Sequence, residues 1–267
     1  MRDPVPRTLG ASLRTGPTDG GPPRSRGLSF GAVAAGYAAL RPTYPPEPVA
    51  FLLGDGRPQR VLDLGAGTGL LTEVVLGLGH DVRAVDPSPE MLAQLTSRLP
   101  QVGTAVGTAE AIPAADASVD VVVAGQAAHW FDPVPAAREI RRVLRPGGGL
   151  GLIWNTRDAR VPWVAALEGL LVDEARGHEA DQGVVDVLAR ELDADVATTE
   201  AGIVQRLAPE EVVGGIATRS YVAVMDEVRR AEFLAGVRQL VADHPGTRGR
   251  EEIGLPYVTR AYRLTPR

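Results

Sequence analysis

The sequence predicts a doubly wound α/β domain built around a parallel sheet. From Arg60 onward, short apolar runs alternate with longer amphipathic stretches, which is typical of βαβ units. A glycine-rich turn at 65–69 joins the first apolar run to the first amphipathic stretch. An acidic residue, Asp86, follows the second apolar run. Because ligands bind beyond the carboxyl ends of the strands in such sheets, these observations also predict where the site lies.

The first half of the chain is predicted to contain four strands and three helices. Residues 60–64 read as a buried strand that ends at the glycine turn. The helix at 135–144 places its apolar residues on one face, and the glycines at 147–149 are expected to stop it. The other elements follow in order: helix 70–78, strand 81–85, helix 89–99, strand 102–106 and strand 119–124.

The second half begins with a fifth strand at 150–154 and then loses the regular alternation. A helical insert follows, and we expect it to sit above the strand ends and to pack through Trp163 and the leucines after it. The remaining predicted elements are strand 198–207, helix 209–218, helix 226–242 and a closing strand at 257–264. Residues 1–27 are rich in Gly, Pro, Ser, Thr and Arg, which predicts a disordered tail.

The composition excludes several classes of function. The 267 residues carry a formal net charge of −5, which does not favour a nucleic-acid partner. Every basic side chain other than histidine is arginine, so lysine-based Schiff-base or P-loop chemistry is excluded. The absence of cysteine excludes disulfides and thiolate catalysis. No apolar run has the length of a membrane span, and no secretory signal is evident, so we expect a cytoplasmic protein with no membrane partner.

The glycine turn and two aspartates indicate the kind of ligand. The spacing Gly65-x-Gly67-x-Gly69 lets the backbone approach a ligand closely. Asp63, just before the turn, would repel a pyrophosphate but suits an ammonium group. Asp86 can accept both hydroxyls of an unphosphorylated ribose. An ammonium group and a ribose together describe S-adenosylmethionine (SAM).

Residues 61–69, VLDLGAGTG, resemble motif I of the class I SAM-dependent methyltransferases, and the chain is similar to their methyltransferase type 11 domain. Further blocks occur in the family's order: residues 86–91, 108–113 with 118–122, 126–131 and 143–148. Segments 37–45 and 219–222 resemble a small-molecule subgroup that includes trans-aconitate methyltransferase-like proteins. Thr108 departs from the pattern, because many members carry an aspartate there to accept the adenine amino group.

The resemblance implies a Rossmann-like sheet of seven strands in the order 3-2-1-4-5-7-6, with the seventh antiparallel and a helical insert after the fifth. It implies one domain over 28–267, with the cofactor-binding core at 60–156 and the acceptor side at 157–267. The residues that it assigns to SAM are Tyr37, Arg41, Asp63, Gly65, Ala66, Gly67, Asp86, Pro87, Met91, Ala109, Glu110 and Gln126.

The acceptor site is expected beyond the fourth strand. Its candidate residues are Tyr44, His129, Trp130, Arg157, Arg219 and Tyr221. His129 is the candidate general base, and the alternative interpretation is that it only shapes the pocket. Arginines at positions 41, 157 and 219 can form bidentate contacts with a carboxylate of the cofactor or the acceptor.

The predicted activity is methyl transfer to a small molecule. The candidate acceptor is a carboxylate or another oxygen nucleophile, and a nitrogen or carbon nucleophile is an open alternative. Two alternatives are an NAD-dependent oxidoreductase and a SAM-binding protein without catalysis. The histidines at 80, 178 and 244 lie in separate segments, so no metal site is predicted. The chain is expected to be a monomer or a homodimer.

Overall fold

A computed structural model describes residues 40–54, 56–171, 177–219, 222 and 225–267. The predicted tail at 1–27 and the candidate site residues Tyr37 and Tyr221 lie outside the described residues. No helix in the described part of the chain is long and apolar enough to span a bilayer.

The described residues form one sheet of seven strands in the order 3-2-1-4-5-7-6, as the family resemblance implied. The central pairs β1–β2, β1–β4, β2–β3 and β4–β5 are parallel, whereas β7 runs antiparallel to both β5 and β6. The strands are β1 (Arg60–Leu64), β2 (Asp81–Asp86), β3 (Gly103–Val106), β4 (Val119–Gly125), β5 (Leu144–Arg157), β6 (Ala194–Leu207) and β7 (Ile253–Pro266).

Helices cover both faces of the sheet. Successive residues of a strand point to opposite faces, so Leu62 of β1 packs in the core beneath one layer of helices and Val61 in the core beneath the other. The helices are α1 (Pro46–Leu53), α2 (Leu70–Gly77), α3 (Pro89–Arg98), α4 (Pro133–Val143), α5 (Pro162–Leu170), α6 (Gly177–Leu192), α7 (Pro209–Ala217) and α8 (Glu227–Asp243). Helices α4 and α6 pack with Leu62, and α1 and α2 pack with Val61.

A separate hydrophobic cluster joins the insert to the C-terminal half. Trp163 of α5 is 4% exposed and packs with Val213 of α7, Val237 of α8 and Tyr257 of β7. Trp163 is therefore a packing residue, as predicted. The cluster ties helices α5, α7 and α8 to the ends of β6 and β7, beside the carboxyl ends of the parallel strands.

One prediction about secondary structure was wrong. The glycines at 147–149 do not stop α4, which ends at Val143; they lie within β5. Pairing of β4 with β5 changes register between Val119 and Val121, and a Cβ at Gly148 would come within 2.6 Å of the Asp120 carbonyl oxygen. Gly148 and Gly149 therefore permit close strand approach at an irregular pairing. Helices α1 and α6 were also missed.

Candidate functional site

A cavity of about 540 Å³ opens at the carboxyl ends of β1, β2 and β4. This is the point where the strand order reverses, because β1 lies between β2 and β4. The walls come from the glycine turn after β1, the loops after β2, β3 and β4, the segment 41–44, and Asn155, Arg219 and Tyr257. The cavity thus lies where the sequence placed the ligand.

The three glycines of the turn have different reasons to be glycine. All of them adopt a positive φ, at 75° for Gly65, 56° for Gly67 and 86° for Gly69. A Cβ at Gly65 would lie 2.6 Å from the Cβ of Ala127, and one at Gly69 would lie 2.7 Å from Leu95. A Cβ at Gly67 would enter open space. The close approach at Gly65 is therefore to the protein itself, and Gly67 presents the open side of the turn.

Asp63 is fully buried at the end of β1 and lines the cavity. Its Oδ2 accepts a hydrogen bond from the Thr72 hydroxyl at 2.6 Å, while its Oδ1 has no hydrogen-bond partner among the described residues. Burial raises the pKa of the Asp63 carboxyl to about 7, and the nearby Asp86 carboxylate adds to the shift. A buried carboxylate with an unfilled acceptor position is suited to a cationic ligand.

Asp86 links β2 to the glycine turn. Its Oδ2 accepts from the backbone N–H of Gly67 at 2.8 Å, and its Oδ1 accepts from that of Ser88 at 2.9 Å. Burial raises the pKa of the Asp86 carboxyl, and these two N–H groups oppose the rise. Ser88 also caps α3 by accepting from the Met91 N–H. Asp86 therefore holds the turn in shape and keeps its second lone pairs for a ligand.

The loop after β3 and the start of α3 form one wall of the cavity. Met91, Thr108, Ala109 and Glu110 all line it. Glu110 Oε1 accepts from the backbone N–H of Asp132 at 2.8 Å, which ties this loop to the segment after β4.

Arginine and tyrosine side chains line another part of the cavity. Arg41 and Tyr44 come from the segment before α1, Arg219 follows α7, and Tyr257 lies on β7. The Tyr44 hydroxyl packs against Gly125, where a Cβ would come within 2.7 Å of it. Burial raises the pKa of the Tyr257 phenol, although the charges of Arg219, Arg157 and Arg41 act in the opposite direction. The phenol therefore stays protonated, and its hydroxyl donates to Gln205 Oε1 at 3.3 Å.

Gln126 and Asn155 form a hydrogen-bonded floor in the cavity. The Gln126 side-chain amide exchanges two bonds with the backbone of Asn155, at 3.1 and 3.2 Å. The Asn155 side chain donates to the Thr43 carbonyl at 3.0 Å and accepts from the Thr259 hydroxyl at 2.5 Å. Gln126 has a φ of 54°, an uncommon conformation for a residue with a side chain. Gln126 was predicted to bind the cofactor; it lines the cavity, and its side-chain amide is bonded to β5.

Two predicted acceptor residues do not line the cavity. His129 lies in the 3₁₀ helix Ala128–Trp130, with its Nδ1 4.0 Å from Asp181 Oδ1 on α6. Partial burial lowers the pKa of the His129 imidazole. Arg157 is buried and donates from Nε to Glu168 of α5. Trp130, the chain neighbour of His129, does line the cavity. The turn therefore directs these two adjacent side chains to different sides.

Asn155 and Tyr257 line the cavity but were not among the candidate site residues of the sequence analysis. Asn155 follows the apolar run of β5, and a polar residue at that end of a parallel strand was a usable signal. Tyr257 reaches the cavity because β7 is antiparallel and pairs it with Arg157 at the carboxyl end of β5. No local pattern around Tyr257 indicates this. No group of three or more possible metal ligands occurs among the residues that the structure describes.

The strand order with an antiparallel seventh strand, the glycine turn after β1 and the acidic residue ending β2 define the class I SAM-dependent methyltransferases. A family model described as a methyltransferase domain matches residues 62–152. An uncharacterized methyltransferase of Mycobacterium tuberculosis is 44% identical over 242 residues, which cover 91% of this chain and 97% of that protein. The chain therefore belongs to this methyltransferase family, and the NAD-dependent alternative was wrong.

Two more similarities accompany these. A malonyl-[acyl-carrier protein] O-methyltransferase of Methylococcus capsulatus is 40% identical over 134 residues, covering 46% of this chain and 49% of that protein. A solved structure assigned as a type II methyltransferase from Anaeromyxobacter dehalogenans has a TM-score of 0.63 and 27% identity, and the match covers 85% of this chain and 97% of that one.

Proposed function

We propose that this enzyme methylates a carboxylate oxygen of a small organic acid. The observation that carries the proposal is the charge distribution in the cavity: carboxylates lie at the glycine turn, and Arg41 and Arg219 lie at the other part of the wall. A cationic cofactor and an anionic acceptor would each meet complementary charge.

The residues of the glycine turn fit SAM. The open acceptor position of Asp63 Oδ1 suits the ammonium group, and Asp86 suits the ribose hydroxyls. Met91 and residues 107–110 suit the adenine, with the Ala109 backbone or Glu110 replacing the family's aspartate at Thr108. We assign Arg41 to the carboxylate of SAM. When bound, SAM supplies an electrophilic methyl group on a positively charged sulfur.

The acceptor side fits a carboxylate better than an acceptor that must lose a proton. Among the described residues that line the cavity, none is a histidine. A carboxylate is already ionised near pH 7 and loses no proton when it becomes a methyl ester. Arg219 can hold one carboxylate oxygen, while Trp130 and Phe131 exclude water from the reacting atoms. Catalysis then rests on alignment rather than on a base.

Two similarities agree with this assignment. The Methylococcus relative is named as an O-methyltransferase. Segments 37–45 and 219–222 resemble trans-aconitate methyltransferase-like proteins, whose name contains an organic acid. Arg219 lies in the second of these segments.

The test is transfer of a labelled methyl group from SAM to a panel of mono- and dicarboxylic acids, phenols and amines. We expect label in products that mild base releases as methanol, because methyl esters hydrolyse under conditions that spare methyl ethers and amines. Base-stable label on phenols or amines alone would contradict the proposal.

The matched variants are Arg219→Gln and Arg138→Gln. Arg138 is an exposed arginine on α4, away from the cavity wall. Loss of a charged hydrogen bond should raise the acceptor KM about 10–100-fold in Arg219→Gln, with the Kd of SAM unchanged. Equal effects of both variants would remove Arg219 from the acceptor site.

A further inference from the structure

The loop between β3 and β4, residues 107–118, contributes Gly107, Thr108, Ala109 and Glu110 to the cavity wall. Its only backbone pairing of strand type is the isolated bridge between Thr108 and Ala111. Buried backbone groups require partners, so the loop depends on hydrogen bonds from outside itself. Three of these bonds come from two side chains of α4.

Arg142 uses all five of its N–H donors on this loop and on Glu139. Nη2 donates to the Ile112 carbonyl at 2.9 Å, and Nη1 donates to the Ala114 carbonyl and to Asp116, both at 2.8 Å. Nε and Nη2 donate to the two oxygens of Glu139, each at 2.7 Å. A guanidinium has five N–H groups in a rigid planar fork, so this arrangement fills its capacity.

Glu139 completes the connection. Its Oε2 also accepts from the backbone N–H of Ile112 at 2.9 Å. The two side chains therefore hold both the N–H and the carbonyl of Ile112. On the adjacent face of α4, Ile140 and Val143 are fully buried in the core, so the helix is a fixed support for the loop.

We propose that Arg142, oriented by Glu139, is a positioning residue that sets adenine recognition from outside the cavity. This inference rests on the proposed placement of adenine beside residues 107–110. Arg142 itself does not line the cavity. Hydrogen bonds to the adenine edge require the loop backbone to be held within a few tenths of an ångström, and Arg142 fixes that backbone two to four residues further along.

The test measures base discrimination by calorimetry, with S-adenosylhomocysteine and S-inosylhomocysteine as ligands. The second lacks the exocyclic amino group, and the wild type should prefer the first by about 10–100-fold. Arg142→Lys keeps the charge but cannot reproduce the fork. We expect its preference to fall at least about fivefold, with Glu139→Gln changing it in the same direction and Arg138→Ala leaving it as in the wild type.

A role in stability alone would lower the melting temperature and the folded fraction without changing the ratio of the two Kd values. If Arg142→Lys behaves like Arg138→Ala in that ratio, the inference is wrong. If Arg142→Ala does not fold, Arg142→Lys and Glu139→Gln decide the matter.

Met91→Ala separates this inference from the proposed adenine site. Met91 lies on α3, not on the loop, and its removal should weaken both ligands about equally because an apolar contact reads the ring face and not its edge. If Met91→Ala weakens both ligands and Arg142→Lys does not change the ratio, the inference alone fails. If Met91→Ala and the Arg142 variants both leave binding unchanged, the adenine placement fails.

Discussion

At the scale of single residues, Asp63 has the most consequential environment. Its carboxyl is fully buried, one oxygen lacks a partner in the described structure, and its pKa is raised to about 7. An ammonium ligand favours the ionised form, so ligand binding and proton release from Asp63 are linked. Asp86, by comparison, has both oxygens bonded to backbone N–H groups.

Affinity for the cofactor product should therefore depend on pH. Below about pH 7, Asp63 is protonated in the ligand-free protein, and the Kd of S-adenosylhomocysteine should rise up to about tenfold per pH unit as the pH falls from 7 to 5. Calorimetry over this range measures it. Methylthioadenosine, which lacks the ammonium group, is the control and should show a flat profile. The same slope for both ligands, or its persistence in Asp63→Asn, would contradict the role of Asp63.

At the scale of elements, the turn after β1 and the floor between β4 and β5 hold the site in shape. Gly65 approaches Ala127, and Gly67 faces open space. Gln126 has a left-handed backbone conformation just after β4. Its side chain, rather than a backbone group, bonds to the N–H and the carbonyl of Asn155 in β5. The site therefore depends on contacts among elements that are far apart in sequence.

Gly65→Ala and Gly67→Ala should have different effects. Both variants pay about 1–2 kcal/mol for a side chain at positive φ. Gly65→Ala also collides with Ala127, so its melting temperature should be the lower of the two. Gly67→Ala should remain folded but bind S-adenosylhomocysteine more weakly, because its methyl group enters the cavity. Thermal melts by circular dichroism and calorimetry measure both; wild-type affinity in Gly67→Ala would show that the ligand does not contact the turn.

Asn155 should be energetically coupled to Thr259. Asn155→Ala leaves the buried Thr259 hydroxyl and the Thr43 carbonyl without their partner and should cost about 2–3 kcal/mol of unfolding free energy. Thr259→Val removes only one bond and should cost less. Urea unfolding of the two single variants and the double variant should show a coupling energy of about 1 kcal/mol. Strictly additive costs would show that the hydrogen bond does not contribute.

At the scale of the whole molecule, four hydrophobic clusters occur in the described part of the chain. Two lie on opposite faces of the sheet, and the third joins α5, α7 and α8 to the ends of β6 and β7. The fourth and smallest packs Leu95 of α3 against Ala84 of β2. Tyr257 belongs to the third cluster, whereas Leu64 and Tyr44 belong to the first two, so the cavity wall combines residues from different packing units.

Ligands that bind only the folded protein should stabilise it. S-adenosylhomocysteine at about 100 times its Kd contributes about 2.7 kcal/mol, which corresponds to a rise in melting temperature of roughly 5–10 °C for a domain of this size. NAD at the same concentration should produce no shift, because Asp63 disfavours a pyrophosphate at the turn. Differential scanning fluorimetry measures both; stabilisation by NAD equal to that by S-adenosylhomocysteine would contradict the cofactor assignment.

The parts of the protein that are local in sequence were predictable from it. Apolar runs in the sequence predict strands β1 and β2, which lie beside the glycine turn. The polar residues near the ends of these runs, Asp63 and Asp86, are predicted to face the site because a parallel strand presents its carboxyl end to it. The strand order followed from the family resemblance, and the periodicity found most helices. Helix α6 was missed although Val185, Leu188 and Leu192 repeat at helical spacing.

Only the tertiary structure decided which side chains meet in the cavity. Tyr257 reaches it because β7 is antiparallel, and Arg142 holds a loop some 28–30 residues earlier in the chain. His129 and Trp130 are neighbours, yet only Trp130 lines the cavity. The positive φ of Gln126 starts the turn that carries them, and that conformation is stabilised by bonds to Asn155, which lies 29 residues away. Residue type determines what a side chain can bind, but the direction in which it points here depends on contacts that no local pattern contains.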